Sequence, residues 1–263
     1  MLNQEAANRN QLVVFDLDDT LVDTSDVYWR ARTQFIEQLA SSGYPSAQTL
    51  EIFESIDSGH IKTYGFAPER YRLSMMATYN RLLAQSGSVE NPTLIKEIYR
   101  CGDLIHKTLP QVIEGARELL DYVSCRFELA LLTRGDEVLQ HWKLRELGLS
   151  RYFSTIKVVA DKSADTFRQL ICMTGHTSDQ SWVIGDSVRS DINPGIGAGA
   201  TCILYRYHHA YYRWQQEHGD EAIGPFYQID NLREAIDVFD HSSSCQIKAN
   251  PSKRASSISG GVY

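Results

Sequence analysis

Two carboxylates separated by one residue, Asp16 and Asp18, follow an apolar tetrapeptide, Leu12-Val13-Val14-Phe15. The acidic stretch runs Asp16-Leu17-Asp18-Asp19-Thr20. Far along the chain, Thr133-Arg134-Gly135-Asp136 combines a hydroxyl, a cation and a glycine that permits a tight turn. A hydroxyl and free backbone N–H groups in such a turn can hold phosphate oxygens. Lys162 could neutralise both carboxylate and phosphate. Gly185-Asp186-Ser187-Val188-Arg189-Ser190-Asp191 adds two more carboxylates. Hard oxygen donors of this kind suit Mg2+, which binds few carboxylates and keeps several waters.

Each of these segments follows an apolar run rich in β-formers. The runs are Leu12–Phe15, Leu129–Leu132, Ile156–Val159, Trp182–Ile184 and, last, Cys202–Tyr205. Continuous apolar runs suit strands buried on both faces, as in a parallel sheet. Helix-like stretches separate them, at about Glu114–Val123, Glu137–Leu147, Ala164–Met173 and Ile192–Ala198. Strands alternating with helices predict an α/β doubly wound fold. In such sheets ligands gather outside the carboxyl ends of the strands. The dispersed carboxylates would therefore meet at one edge.

The interval between the first two runs breaks the rhythm. Apolar residues recur at helical spacing in Trp29–Leu39, Tyr71–Leu83 and Leu94–Ile105, with breakers near Ser41–Pro45, Gly65–Pro68, Ser86–Pro92 and Pro110. A crossover this long reads as an inserted helical subdomain. The expected organisation is an α/β core over 1–25 and 112–240, a helical cap over 26–111, and a Ser- and Gly-rich tail over 241–263 without fixed structure.

The 263 residues carry a formal net charge of −7. That balance argues against nucleic acid or an anionic membrane as a partner, but not against a small anionic substrate beside a metal. The N-terminus lacks the basic and apolar regions of a signal peptide, and no run approaches membrane-spanning length. The five cysteines include no C-x-x-C pair. A reducing, cytoplasmic setting is expected over a disulfide framework.

Asp16-x-Asp18-x-Thr20, Thr133, Lys162 and Gly185-Asp186-x-x-x-x-Asp191 together resemble the haloacid dehalogenase superfamily. Four motifs stand in the family's order, each after a predicted strand, and the resemblance covers roughly residues 10–206. It implies a Rossmann-like core whose first strand is flanked by the second and fourth, and a type-one helical cap. It also implies a Mg2+-dependent phosphatase acting on a small phosphomonoester through an aspartyl-phosphate. Asp16 would be the nucleophile and Asp18 the acid and then the base. Thr133 and Lys162 would hold the substrate; Arg134, which flanks the site, could touch the substrate as well or face solvent. The Asp16 carboxylate, the Asp18 carbonyl and the Asp186 carboxylate would ligate the metal, with Asp191 orienting Asp186 or a metal-bound water. Dehalogenases of the superfamily lack an acid/base Asp where Asp18 stands.

Other residues carry two readings. Asp191 could instead cap the helix beginning near Ile192. Asp19 and Asp23 read as loop or capping residues, and Asp19 occupies a spot where many relatives of the superfamily carry Gly. Arg189 could reach substrate or solvent. Tyr64, Phe66, Arg70, Tyr71 and Arg72 could close over a substrate or simply pack a helix. Lys62 is the cap lysine that a phosphonate hydrolase would need. His208 and His209 stand among aromatic residues from Tyr205 to Trp214 and read as a packed or interface segment. A phosphomutase using the same intermediate, or a phosphate-binding regulatory protein without turnover, stays open. So does a monomer or a homodimer.

Overall fold

The computed structural model of the protein describes residues 10–67, 69–206 and 221–242. A six-stranded parallel sheet forms its centre, in the order β5-β4-β1-β6-β7-β8. The strands are β1 (Leu12–Phe15), β4 (Glu128–Arg134), β5 (Thr155–Val159), β6 (Ser181–Gly185), β7 (Thr201–Tyr205) and β8 (Tyr227–Ile229). Register is continuous from Phe15 to Leu131 on one side and from Phe15 to Ile184 on the other. The first strand therefore has the second and fourth predicted strands as neighbours, as the family resemblance implied.

Alternation along the strands divides the core. Val13, Phe15, Leu129, Leu131, Trp182 and Ile184 pack on one face with α5 (Ala116–Ser124) and α9 (Glu234–Ser242). Leu12, Val14, Ala130, Leu132 and Val183 pack on the other with α7 (Ala164–Met173). Burial on both faces is why these strands read as unbroken apolar runs rather than as alternating ones.

Between β1 and β4 the chain leaves through the two-residue strand β2 (Val22–Asp23) and returns through β3 (Gln111–Val112). These two pair antiparallel. Between them lie α1 (Thr24–Ser41), α2 (Ser46–Tyr64), α3 (Arg70–Ser86) and α4 (Pro92–Lys107). Val27, Phe35, Phe53, Tyr71, Met75, Tyr79 and Ile98 form a second core inside this helical layer. The predicted breakers fall at its turns: Gly43 and Gly87 adopt φ of +94° and +65°, where glycine carries no steric cost.

Five elements were not legible, among them the two-residue strands β2 and β3. Helix α2 buries Thr49, Ile52, Phe53 and Asp57, so half of its inner face is polar and the apolar period is lost. The three residues of β8 are too short for a pattern. Helix α9 runs to Ser242, so His241 and Ser242 are helical, where an unstructured tail was expected to begin. His241 Nδ1 lies 2.7 Å from the Asp237 carbonyl oxygen. His208, His209, the aromatic residues from Tyr207 to Trp214 and the rest of the tail lie outside the described residues. No described helix is long and apolar enough to cross a membrane. Cys101, Cys125, Cys172 and Cys202 are free thiols.

Candidate active site

Asp16 is the first residue past β1, and its N–H donates to the Ile184 carbonyl at 2.9 Å, which extends the ladder by one residue. Its side chain is thereby carried to the sheet edge beside the end of β6. One Asp16 oxygen accepts from the Thr20 hydroxyl at 3.2 Å. The other accepts from Lys162 Nζ, which also donates to Asp191 Oδ1 at 2.6 Å. Lys162 stands between β5 and α7, where Ser163 caps the helix and fixes the approach of the chain.

Asp186 and Asp191 arrive from the turn after β6. Ligand atoms of Asp16, Asp186 and Asp191 all lie within 4.8 Å of one another. Gly185 makes this possible. A Cβ there would stand 2.3 Å from Asp191 Cγ, so any side chain would collide with the carboxylate. The turn itself is one π-helical segment, Val188–Ile192, capped by Ser187, whose Oγ accepts from Ser190 N at 3.1 Å. Asp191 Oδ2 accepts from Ser187 N at 3.1 Å. The reading of Asp191 as a helix cap is therefore corrected: the next helix, α8 (Asn193–Ala198), begins two residues on, and the Asp191 side chain turns back into the site.

Electrostatics match this crowding. Burial pushes the Asp16 carboxyl up to about 6; Lys162 opposes the shift, and Asp191 and Asp18 add to it. Asp186 is held well above the ordinary carboxylate range, first by burial and then by Asp16, Asp19 and Asp191. Burial would lower the Lys162 ammonium, but its two aspartate partners outweigh this and raise it. Lys162 bridges two of these three clustered carboxylates, Asp16 and Asp191. A divalent cation with oxygen preference fits that donor set.

The Asp18 carboxylate does not join this trio. Thr24 Oγ1 and Lys143 Nζ donate to its Oδ1, the latter at 2.7 Å, and Gln140 Nε2 donates to its Oδ2 at 2.6 Å. Burial alone would raise this carboxyl; Lys143 and the hydrogen bonds outweigh it and hold Asp18 below the ordinary range. A side-chain metal ligand at Asp18 is thus not what the geometry offers.

Thr133 is fully buried near the end of β4. Arg134 closes that strand, its guanidinium 4.3 Å from the centroid of the Phe66 ring and 3.7 Å from Asp161. Phe66 and Arg70 from the helical layer line the same pocket as Asp16, Asp18, Lys162 and Asp186. The aromatic-basic cluster therefore divides. Phe66 and Arg70 face the pocket, and Arg70 is ion-paired with buried Asp57. Tyr71 packs in the helical core, Arg72 pairs with Asp103 at 3.4 Å, and Tyr64 is half exposed. Lys62 and Arg189 are exposed and do not line the pocket, whereas Ser187 and Ser190 do.

Asp19 and Asp23 behave as capping residues. Asp23 accepts from Asp26 N, and Asp19 accepts from the Ser25 N–H and hydroxyl at 2.8 and 2.6 Å. Asp19 adopts φ of +62°, in the left-handed region that favours glycine. Burial pushes its carboxyl up to about 7 against the Ser25 hydrogen bonds.

Gln140 and Lys143 were missed by the sequence reading. Both are buried on α6 (Glu137–Glu146) with Leu144. Their three-residue spacing on the inner face of the helix following Thr133 was the available signal.

A family model described as haloacid dehalogenase-like hydrolase matches residues 13–205. The chain belongs to this family. Among curated relatives of this haloacid dehalogenase-like hydrolase, a pyrimidine 5'-nucleotidase of Streptococcus pneumoniae is 23% identical over 88% of this chain and 95% of its own length. Human N-acylneuraminate-9-phosphatase is 26% identical over 75% of this chain and 83% of its own. A solved haloacid dehalogenase-like hydrolase from Xanthomonas campestris superposes with a TM-score of 0.70 at 24% identity, covering 90% of this chain and 98% of that one. That likeness speaks for the fold.

Proposed function

We propose that this haloacid dehalogenase-like hydrolase is a Mg2+-dependent phosphatase that cleaves a small phosphomonoester through an aspartyl-phosphate on Asp16. The observation that carries the reading is Asp18, a second carboxylate at the same sheet edge but engaged separately from the Asp16-Asp186-Asp191 trio. A carboxylate nucleophile alone would serve carbon–halogen chemistry; the added carboxylate serves an alcohol leaving group. The names of the two curated relatives, a nucleotidase and a phosphatase, point the same way.

In the first step an Asp16 oxygen attacks phosphorus and the P–O bond to the alcohol breaks. Asp18 gives its proton to the departing oxygen, and the alcohol leaves. The approach of an anionic ester raises the Asp18 carboxyl and so supplies the protonated form. In the second step water attacks phosphorus while Asp18 takes its proton. The acyl-phosphate P–O bond then breaks, returning the Asp16 carboxylate and inorganic phosphate. Lys162 and the Thr133 hydroxyl hold non-bridging oxygens, and Arg134 lies at the pocket wall. Mg2+, held by Asp16, Asp186 and the Asp18 carbonyl with Asp191 in support, would neutralise the clustered charge and orient the ester. The helical layer from Thr24 to Lys107 acts as the cap, with Phe66 and Arg70 facing substrate.

The test is phosphate release from a panel of phosphomonoesters with the purified protein, with Mg2+ and with EDTA. Mg2+-dependent release supports the reading. Release that persists in EDTA contradicts the metal assignment, and binding without release from any ester contradicts the enzyme.

A further inference from the structure

We infer that Gln140 is a positioning residue that sets two catalytic groups at once: it aims the Asp18 carboxylate and turns the Thr133 hydroxyl into a hydrogen-bond donor. The inference rests on the phosphatase reading above. Gln140 is 2% exposed, and its Nε2 lies 2.6 Å from Asp18 Oδ2, 2.7 Å from Thr133 Oγ1 and 3.1 Å from the Arg134 carbonyl.

The chemistry of the amide decides the roles. A carboxylate paired with Lys143 Nζ at 2.7 Å accepts hydrogen bonds and donates none. The amide group facing it is therefore the NH2. That nitrogen has no lone pair to offer, so the Thr133 oxygen beside it must accept. Thr133 then has its own hydrogen left for a group in the pocket it lines. An amide in the opposite orientation would repel Asp18 and draw the Thr133 hydrogen onto itself. One side chain thus couples the proton-transfer group to a group that holds phosphate oxygens.

Lys143 and Thr24 hold the other Asp18 oxygen, so the carboxylate is fixed from both sides. The fixing elements come from opposite parts of the fold: Gln140 and Lys143 from α6 in the core, Thr24 from the first turn of α1. Gln140 itself is set by the Asp136 cap, whose side chain accepts from Leu139 N at 2.8 Å and whose carbonyl accepts from Gln140 N at 3.0 Å.

The experiment compares two esters that differ in their need for a proton. An alkyl ester, β-glycerophosphate, leaves as a strongly basic alkoxide; p-nitrophenyl phosphate leaves as a stable phenolate. The wild type, Asp18→Asn, Gln140→Glu and Gln140→Met are assayed on both with Mg2+, and folding is followed by thermal melting. Asp18→Asn is the reference for lost proton transfer, an effect of about 100-fold or more on the alkyl ester. Both Gln140 variants are expected to lower kcat/KM, which reports the step in which the alcohol leaves and not the later hydrolysis common to both esters, by roughly 10- to 100-fold on the alkyl ester and by at least ten times less on the aryl ester.

Gln140→Glu keeps the volume and removes the donor, and Gln140→Met removes both polar ends, so either folded variant decides the matter. Equal loss on both esters, no loss on either, or failure of both variants to fold would make Gln140 a packing residue and overturn the inference. If the wild type cleaves neither ester, the phosphatase reading fails and takes this inference with it. If Asp18→Asn shows the selectivity and the Gln140 variants do not, only the inference fails.

Discussion

The Asp191 carboxylate fills the space directly against the Gly185 backbone, 2.3 Å from where a Cβ would stand. A glycine ahead of Asp186 is therefore a packing requirement of the acidic cluster rather than a turn preference, since Gly185 does not take a positive φ. Gly185→Ala must push Asp191 away from Lys162 and Asp16. We expect a loss of about 1–3 kcal/mol in urea unfolding, as for other overpacked sites, together with a large loss of Mg2+ affinity. Isothermal titration with Mg2+ and a urea melt check both; an alanine variant with wild-type affinity would contradict the packing argument.

Lys143 is the cation that holds Asp18 below the ordinary carboxylate range against the upward pull of burial. Removing it must raise that carboxyl. In Lys143→Met the limb of the pH–rate profile that reports Asp18 should move to higher pH, and kcat should fall roughly tenfold. Profiles of kcat/KM from pH 5 to 9 measure this. A profile with unchanged limbs would place the Lys143 effect elsewhere.

Stability without metal should fall as pH rises. Asp16 and Asp19 stand at about 6 and about 7 in the folded protein, against 3.8 for the free side chain. A raised carboxyl lets the folded state keep protons that the unfolded state has lost. Its contribution is complete below the unfolded value and disappears as pH climbs through the folded one. Asp18, shifted downward, is already ionised in both states above pH ~5 and adds no slope there. In EDTA the melting temperature should drop from pH 5 to pH 8, on the order of 5 °C. Added Mg2+ should remove the drop, because binding to the ionised cluster stabilises the folded state. Melting curves at the two pH values, with and without Mg2+, provide the check, and a rise in EDTA would contradict the sign.

Phe66 belongs to the helical layer, yet its ring lies 4.3 Å from the Arg134 guanidinium on the sheet. A cation–π contact of this kind contributes about 0.5–1 kcal/mol at a partly open site. Phe66→Ala should therefore raise KM by roughly two- to fivefold with little change in kcat. Steady-state kinetics on one ester distinguish this from an effect on chemistry, which would lower kcat instead.

Much of this arrangement is legible in the amino-acid sequence. The sheet was readable because strands buried on both faces leave uninterrupted apolar runs, and Asp16, Thr133, Lys162 and Asp186 each follow such a run closely. What escaped notice had a physical reason. Helix α2 turns Thr49 and Asp57 inward, so its periodicity is masked. Gln140 and Lys143 read as ordinary polar residues on a helix, because only the fold brings them across more than 100 residues to Asp18. The division of the Tyr64–Arg72 cluster depends on which way α3 faces, and five neighbouring residues cannot reveal that. Asp191 could be read as a cap because capping and site residues both favour short acidic side chains after a strand.

With Asp16 as the nucleophile, its carboxylate must become phosphorylated during turnover. Acid quenching of the working enzyme with a phosphomonoester and Mg2+, followed by peptide mass spectrometry, tests it directly. The account predicts one added phosphoryl group on the peptide holding Asp16, absent in Asp16→Asn, which should also lose turnover. Phosphate on a different residue, or an Asp16→Asn variant that still turns over at a substantial rate, would contradict it.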